Sequence, residues 1–582
     1  MTSPTRIQWR FGILAGLAVV LVTMIPQLSL WTDRESGGYG VYAIVDPDEM
    51  AYSDYLNSII NGRSRRNDPF LGGASSNHET FYSIQFFPPY VVALVAKLFG
   101  LSAPTVFILF TPLFAFLSSL AVFWLLTEIT GDEKAAAIGV LIVLLCGILA
   151  SANLLLEDNH YAVFSFLRRY IPAFPFPLFF VLWVCVLRAF NRSGVASVVW
   201  SIAAGVIMVA LIYSYFYLWT TAGALLFVLT VVSLIFSEET RLRVLKATAI
   251  VGGFAFVAIV PYFKLLSQRS QSIDENHALL LTRAPDLFRF TEIFGAVVLA
   301  AIAFGIRKQR LTFRSPAVLF AASCAITPLV VLNQQVITGR SLQPFHYEQF
   351  ILSYLVLVAV VIVDAVWWKQ LIRRPIFWIT LALVVGVSLA AKTTKVNKPQ
   401  NYMAAAAKTV FTTLEAETNS TTPRGFVLFD RTVLAAIAPT YISTAHVLWS
   451  PYTYTFTNSV NHQEDKERLF QYFYYLGVDE KKFESLLNGR VYTAALFGLH
   501  RVNPTLSRNF VPVTDDEMES QIQQYAQYKQ RFSQTEAQLW PLSHVVLTAN
   551  RDYDLSNLDR WYERDTGQLV GDCVVYRVRQ KF

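Results

Sequence analysis

Up to about residue 391 the chain alternates long apolar stretches with short polar breaks. Residues 11 to 31 ("FGILAGLAVVLVTMIPQLSLW") follow Arg6 and Arg10 and lack a small-residue cleavage pattern, so they read as a retained signal anchor. They are long enough to cross a hydrocarbon core of about 30 Å. Comparable runs lie near 103–127, 135–153, 173–190, 197–213, 217–236, 246–263, 288–305, 315–333, 347–368 and 375–391. Together they predict an α-helical polytopic membrane protein with about 11 transmembrane helices of roughly 17 to 25 residues each.

The pattern changes near residue 392, where "KTTKVNKPQN" is polar and the rest of the chain carries charges throughout, with no run long enough to span. Two domains are expected, a membrane domain over 1–391 and a soluble domain over 392–582. In the latter, strand-like "GFVLF" (425–429), "HVLW" (446–449), "VYTAALF" (491–497), "HVVLT" (544–548) and "CVVYRV" (573–578) alternate with helix-like "EDKERLFQYFYYL" and "DEMESQIQQYAQYKQRF". That alternation predicts an α/β fold.

Placing the amino terminus in the cytoplasm makes alternate loops cytoplasmic, and those loops carry the Lys and Arg expected of them, most weakly in "TGDEK" (130–134). Arg188 and Arg192 flank one, and "RLRVLK" (241–246), "IRKQRLTFR" (306–314) and "KQLIRR" (369–374) fill three more. The bookkeeping requires that "IQFFPPYVVALVAKLFG" (84–100) does not cross. Pro88 and Pro89 suit a helix start and leave only about 11 residues after them, against the roughly 20 a span needs. The carboxyl-terminal domain then faces the periplasm or cell exterior across an inner, or plasma, membrane.

Composition narrows the function classes. The 582 residues are 54% hydrophobic and 15% charged, and the net charge of +7 follows topology in such a chain, with no soluble basic run interleaved with aromatics. A nucleic-acid partner is therefore not expected. Cys146, Cys185 and Cys324 lie inside apolar runs and Cys573 stands alone in the tail, which offers neither a disulfide framework nor a zinc site.

The first outer loop, 32–102, holds a knot of carboxylates in "DPDEMAYSDYLNSII" (46–60). Asp46 suits an N-cap, Pro47 the first helical position, and Glu49 can complete a capping box. Tyr52, Tyr55, Leu56 and Ile59 then recur at helical spacing and Gly62 suits the end, predicting a short amphipathic helix on the membrane surface. Capping gives no job to Asp48. A solely structural cluster and a catalytic one both fit this spacing.

"PDEMAYSDYLNSIINGR" resembles the first outer loop of the GT-C superfamily of polyprenyl-phosphate-dependent glycosyltransferases, whose members often read Asp-Glu-x-x-Tyr before an amphipathic helix ending in Gly. "FFPPYVVALVAKLFG" resembles the non-crossing, Pro-containing segment that follows in the protein O-mannosyltransferase and aminoarabinose transferase branches. The resemblance covers roughly residues 10 to 170 in order and spacing. It implies an integral membrane enzyme that moves a sugar from a lipid-linked donor to a glycan, lipid or protein acceptor, with inversion. By the same resemblance Asp48 is the base with Glu49 as its partner, and Glu157 and Asp158, in the second outer loop (153–172), are the second acidic site.

The implied chemistry is coherent. An acceptor hydroxyl or amide must lose a proton as it attacks C1 of the sugar, and a positioned carboxylate can take it. Glu157 and Asp158 could hold the acceptor or a divalent cation such as Mg²⁺ or Mn²⁺, which prefer oxygen ligands; a solvated acidic turn is the plain alternative. Arg168 and Arg169 lie on the outer side, against the charge bias, where Arg offers a planar fork to phosphate or anchors headgroups. With Arg340 and His346, closest to predicted helix ends, they are the candidate lipid-phosphate site. Arg63, Arg65, Arg66, Lys264, Arg269 and Arg283 are further basic residues on that side, and "YSYFYLW" (213–219) reads as an interfacial rim, with a sugar-stacking or lipid-groove role as the alternatives.

The tail has only "LWSPYTYTF" (448–456) where oligosaccharyltransferase subunits carry Trp-Trp-Asp-Tyr-Gly, so transfer to asparagine sequons is not expected. Two rivals stay open: a transporter or flippase for a lipid-linked sugar, and a non-catalytic relative whose outer domain is a binding module. Transporters tend to place ionisable residues near the midplane, where these apolar runs carry almost none.

Overall fold

The computed structural model describes residues 7–33, 40–71, 78–150, 164–270, 273, 279–418, 425–443, 446–453, 462–502, 504 and 510–582. Eight helices among them are long and apolar enough to cross a membrane: Ala103–Thr130, Gly194–Ile212, Phe216–Phe236, Glu238–Ser267, Phe290–Arg307, Pro316–Thr338, Pro344–Trp368 and Pro375–Glu417. A ninth is the pair Trp9–Thr23 and Ile25–Thr32, bent by 45° just before Pro26, whose nitrogen cannot donate to the helix ladder.

Two expected spans are shorter. Run 135–153 forms the 14-residue helix Glu133–Cys146 followed by a tighter turn over Gly147–Ala150, and run 173–190 forms the 17-residue helix Pro175–Asn191. At 1.5 Å per residue these are roughly 21 and 26 Å long. The chain is thus a multi-pass membrane protein whose described apolar helices are not all of full span. Segment 84–100 folds as the 13-residue helix Phe87–Phe99, with prolines in its first turn and Gly100 at φ 63° closing it, about 20 Å and too short to cross.

The chain divides into two compact units. One gathers Met1–Ser29, Phe107–Lys264 and Leu281–Asn397; the other gathers Leu30–Val106, Leu265–Leu280 and Lys398–Phe582. This differs from a linear cut at 391/392, because the loop helix Asp48–Ile60 buries its side chains against the helix Thr432–Tyr441 far along the sequence.

The second unit contains a six-stranded sheet. The strands Phe426–Phe429, His446–Val447 and Leu542–Thr548 are parallel, with the first between the other two. Cys573–Gln580 adds antiparallel to the Leu542 strand, and Tyr562–Arg564 and Gln568–Val570 pair with its far side. Side chains alternate between two covered faces. Leu428, Val545 and Leu547 enter a core with Leu469, Phe473, Tyr525 and Tyr528 from the helices His462–Tyr475 and Asp515–Arg531. On the other face Phe429 packs on Phe411 at 6.3 Å and His544 meets Glu417 at 3.0 Å, both from the helix Lys408–Thr418.

One expected strand is a helix. "VYTAALF" forms Arg490–Phe497, with Thr493, Ala495 and Leu496 buried. Its β-branched opening suggested a strand, but Tyr492, Ala495 and Leu496 fall at i, i+3 and i+4 on one side, and Gly498 at φ 87° stops it.

Candidate functional site

The loop helix Asp48–Ile60 begins with its carboxylates already committed in part. Asp46 accepts from the Asp48 amide through Oδ1 at 2.9 Å, and Pro47 has helical dihedrals. Glu49 is fully buried and reaches back to the Val45 amide at 2.9 Å through Oε2, one residue earlier than a capping box would place it. Tyr452 donates to the Pro47 carbonyl at 2.8 Å, fastening this turn from the carboxyl-terminal segment. At the far end Gly62 takes φ 85°, and the Gly62 and Arg63 amides bond Ile59 and Ser58 carbonyls, the double reach of a left-handed helix stop.

The helix is not amphipathic in the expected sense. Tyr52, Tyr55, Leu56 and Ile59 are buried, but so are Glu49, Ser53, Asp54 and Ser58. It lies inside its unit, packed on the helices Thr432–Tyr441 and Phe87–Phe99. Of its carboxylates, Asp48 is the one partly exposed; Glu49 and Asp54 are not exposed at all.

Asp54 is the carboxylate that periodicity did not single out. Its Oδ1 accepts from Thr440 at 2.5 Å, and Thr440 also meets Ser53 at 2.5 Å, which in turn meets the Tyr42 hydroxyl at 2.8 Å. Asp54 Oδ2 meets no donor among the described residues. Burial pushes the Asp54 pKa well up, with the Thr440 hydrogen bonds pulling partway back, so the group keeps its proton to higher pH than an exposed aspartate.

Two basic residues of this loop, Arg63 and Arg65, are tied into the fold. Arg65 forms a fork on Glu79 at 2.6 and 2.7 Å, and Tyr55 donates to the Arg65 carbonyl at 2.6 Å. Arg63 donates to the Ser443 carbonyl at 2.9 Å.

In the other unit Arg168 and Arg169 are buried, at 3% and 4% exposure. Arg169 donates to Thr111 Oγ1 at 2.5 Å. The Arg168 guanidinium sits 5.1 Å from the centre of the Phe350 ring, and the His346 ring lies 5.1 Å from the same ring. Arg168 and His346 are therefore brought to one aromatic side chain, while Arg340 is exposed. Phe350 belongs to a π-helical turn, Glu348–Leu352, a rare widening that recurs at functional sites. The backbone around Arg168 is pinned to this turn, since Ser165 donates to the Gln349 carbonyl at 3.2 Å and its amide to Tyr354 at 3.2 Å.

"YSYFYLW" is not a lipid-facing rim at its centre. Tyr215 and Tyr217 are buried. Tyr217 meets His346 at 5.0 Å and Tyr347 at 4.8 Å, and donates to Gln343 at 3.0 Å. Sequence reading also passed over Glu348, which accepts from Arg289 at 2.9 Å and from Thr291 at 3.1 Å, while Arg289 pairs Asp286 at 2.5 Å. The adjacency of Glu348 to His346 was the available signal.

Glu157 and Asp158 lie outside the described residues. Among those described, no group of three or more His, Cys, Asp or Glu is placed to hold a metal ion.

No protein-family model and no curated protein matches the sequence. Among solved structures, the chain resembles ArnT from Cupriavidus metallidurans bound to undecaprenyl phosphate, at 13% identity, covering 98% of each chain with a TM-score of 0.49. It also resembles the same protein in the apo state, at 16% identity, covering 81% of this chain and 94% of that one with a TM-score of 0.45.

Proposed function

We propose that this chain is an inverting GT-C type glycosyltransferase of the inner, or plasma, membrane, moving a sugar from a polyprenyl-phosphate carrier to an acceptor on the outer face. The reading is supported by the ordered resemblance of residues 10 to 170 to that superfamily. The observation that carries it is the division among the loop-helix carboxylates. Glu49 and Asp54 are buried within the fold, and Asp48, in the first turn, is partly exposed.

In this reading the acceptor oxygen or nitrogen attacks C1 of the sugar as Asp48 takes its proton. The bond between C1 and the phosphate oxygen breaks, and the carrier leaves as polyprenyl phosphate. Glu49 is a positioning residue: by holding the Val45 amide it fixes the turn that aims Asp48. Arg168, seated against Phe350, with Arg169, His346 and Arg340, offers positive charge to the lipid phosphate. Glu157 and Asp158 remain assigned to acceptor or cation by the resemblance, and a bound Mg²⁺ or Mn²⁺ would neutralise charge on the leaving phosphate.

Incubating the purified protein in vesicles with polyprenyl-phosphate sugars carrying a labelled sugar tests the proposal. Transfer predicts that label leaves the lipid and appears in a heavier product by mass analysis. Label that stays on intact carrier and only changes leaflet would mean transport instead.

A further inference from the structure

Two of the helices long enough to cross a membrane, Phe290–Arg307 and Pro316–Thr338, are joined at one end by a basic turn carrying Lys308, Arg310 and Arg314. At the opposite end large apolar side chains point out of the fold. Leu281, Phe288 and Ile337 are 79%, 83% and 84% exposed, and Leu287 and Val336 are exposed next to them in sequence. This end is fixed in shape, because the two segments that form it are stitched together. The Thr282 amide donates to the Gly339 carbonyl at 3.1 Å, and Arg283 donates to the Val336 and Ile337 carbonyls at 3.0 Å each. Gln335 donates to the Ala284 carbonyl at 3.2 Å, and the Asp286 amide to Asn333 at 2.8 Å.

Phe288 is held outward against its own backbone preference. Its φ is 67°, a left-handed conformation that a bulky residue seldom adopts and that the surroundings must enforce. Arg289, the next residue, is fixed by Asp286 at 2.5 Å and by Glu348 at 2.9 Å, which keeps the turn in that shape. An apolar residue just before an N-cap commonly folds back on the fourth residue of its helix. Here those two are Phe288 and Ile293, and both stay exposed.

We propose that this end is an interfacial anchor, with Leu281, Leu287, Phe288, Val336 and Ile337 sunk into the head-group and upper acyl region of one bilayer leaflet. Helix length argues for lipid as the occupant. The 18 residues of Phe290–Arg307 rise about 27 Å, just short of a hydrocarbon core of about 30 Å. Leu287 and Phe288, immediately before that helix, therefore carry its outward surface, with the exposed Val297 and Phe304, on to the edge of the core. Val336 and Ile337 close the 23-residue stretch Pro316–Thr338, which rises about 34 Å and reaches the same level. Arg283 and Arg340 are exposed in the same two segments, where guanidinium groups meet lipid phosphates. A second copy of this chain fits less well, since a two-fold contact through this end would set the arginines against their own copies.

The anchor stands apart from the transferase proposal and is tested without turnover. The full chain is made as Phe288→Bpa and as Ile337→Bpa, Bpa being the photoreactive p-benzoyl-phenylalanine. Val297→Bpa, on the outward face of the helix, is the lipid-facing control, and Val511→Bpa, exposed in the other unit, is the control away from these helices. After irradiation in vesicles of phosphatidylethanolamine and phosphatidylglycerol, the intact mass should show one phospholipid added at 288 and at 337. Yields within about twofold of position 297, and about tenfold or more above position 511, are expected. The proposal is overturned if 297 captures lipid while 288 and 337 stay at the level of 511. A doubled protein mass from 288 and 337 would also overturn it, by making this end an interface between copies. Should one of the two variants fail to fold, the other decides.

Discussion

Thr440 donates a 2.5 Å hydrogen bond to Asp54 across 386 residues of sequence. That bond joins the first-loop helix to the carboxyl-terminal segment inside one compact unit, and both partners are buried. Replacing Thr440 by Val keeps the shape and removes the hydroxyl that donates to Asp54 Oδ1. Losing that donor on a buried carboxyl costs about 1 to 3 kcal/mol. Denaturant unfolding of the purified protein, followed by emission, should show this loss for Thr440→Val and much less for Thr440→Ser.

Arg65 and Glu79 give a second expectation. Their fork is held at 2.6 and 2.7 Å, with Glu79 1% and the Arg65 side chain 27% exposed, and leaving the buried Glu79 without this partner costs about 1 to 3 kcal/mol. Arg65→Ala should lower the melting temperature. Arg65→Lys should recover only part of it, because an ammonium cannot make both parallel bonds. Full recovery by lysine would mean that charge alone, without the fork, holds the loop.

Asp465 predicts a pH effect. Burial raises its pKa from 3.8 to about 7, with Trp449 and Arg468 drawing it partway back and Glu464 and Asp68 adding to the rise. Between those values the unfolded chain has released the proton and the folded chain still holds it. Stability from this group is therefore intact below pH 3.8 and lost as pH rises toward 7. At about 1.4 kcal/mol per unit the ceiling is on the order of 4 kcal/mol. Asp465→Asn should flatten this part of the stability profile; a profile parallel to that of the unaltered protein would refute the assignment.

Arg168 tests the lipid-phosphate part of the proposed function. Arg168→Ala should raise KM for the polyprenyl-phosphate donor about tenfold, equivalent to ~1.4 kcal/mol, with kcat changed far less, the signature of lost ground-state binding. Arg168→Lys should fall between, keeping charge but losing the flat stacking surface on Phe350. An unchanged KM in both variants would remove Arg168 from the donor site.

Much of the helical layout was legible, because apolar run length and proline position are strong one-dimensional signals. Pro88 and Pro89 forecast a helix too short to cross, and Phe87–Phe99 is that helix. The strands at 426, 446, 542 and 573 were legible from their β-branched runs. Burial was not. The spacing of Tyr52, Tyr55, Leu56 and Ile59 marked one apolar face, and nothing local could reveal that a second helix nearly 400 residues on would also cover Ser53 and Asp54. Likewise "YSYFYLW" carried the composition of an interfacial belt, and only the fold sets Tyr217 against His346 and Tyr347. The strand expected at 491–497 failed because a short apolar run does not distinguish a strand from two helical turns.

In the proposed reaction Asp48 takes the acceptor proton. Asp48→Asn keeps the size and nearly the shape of the side chain while removing the base. In purified, folded protein with a matched melting temperature, sugar transfer from polyprenyl phosphate should fall about 10²- to 10⁴-fold, with donor binding retained. Full transfer activity in that variant would mean that Asp48 is not the base.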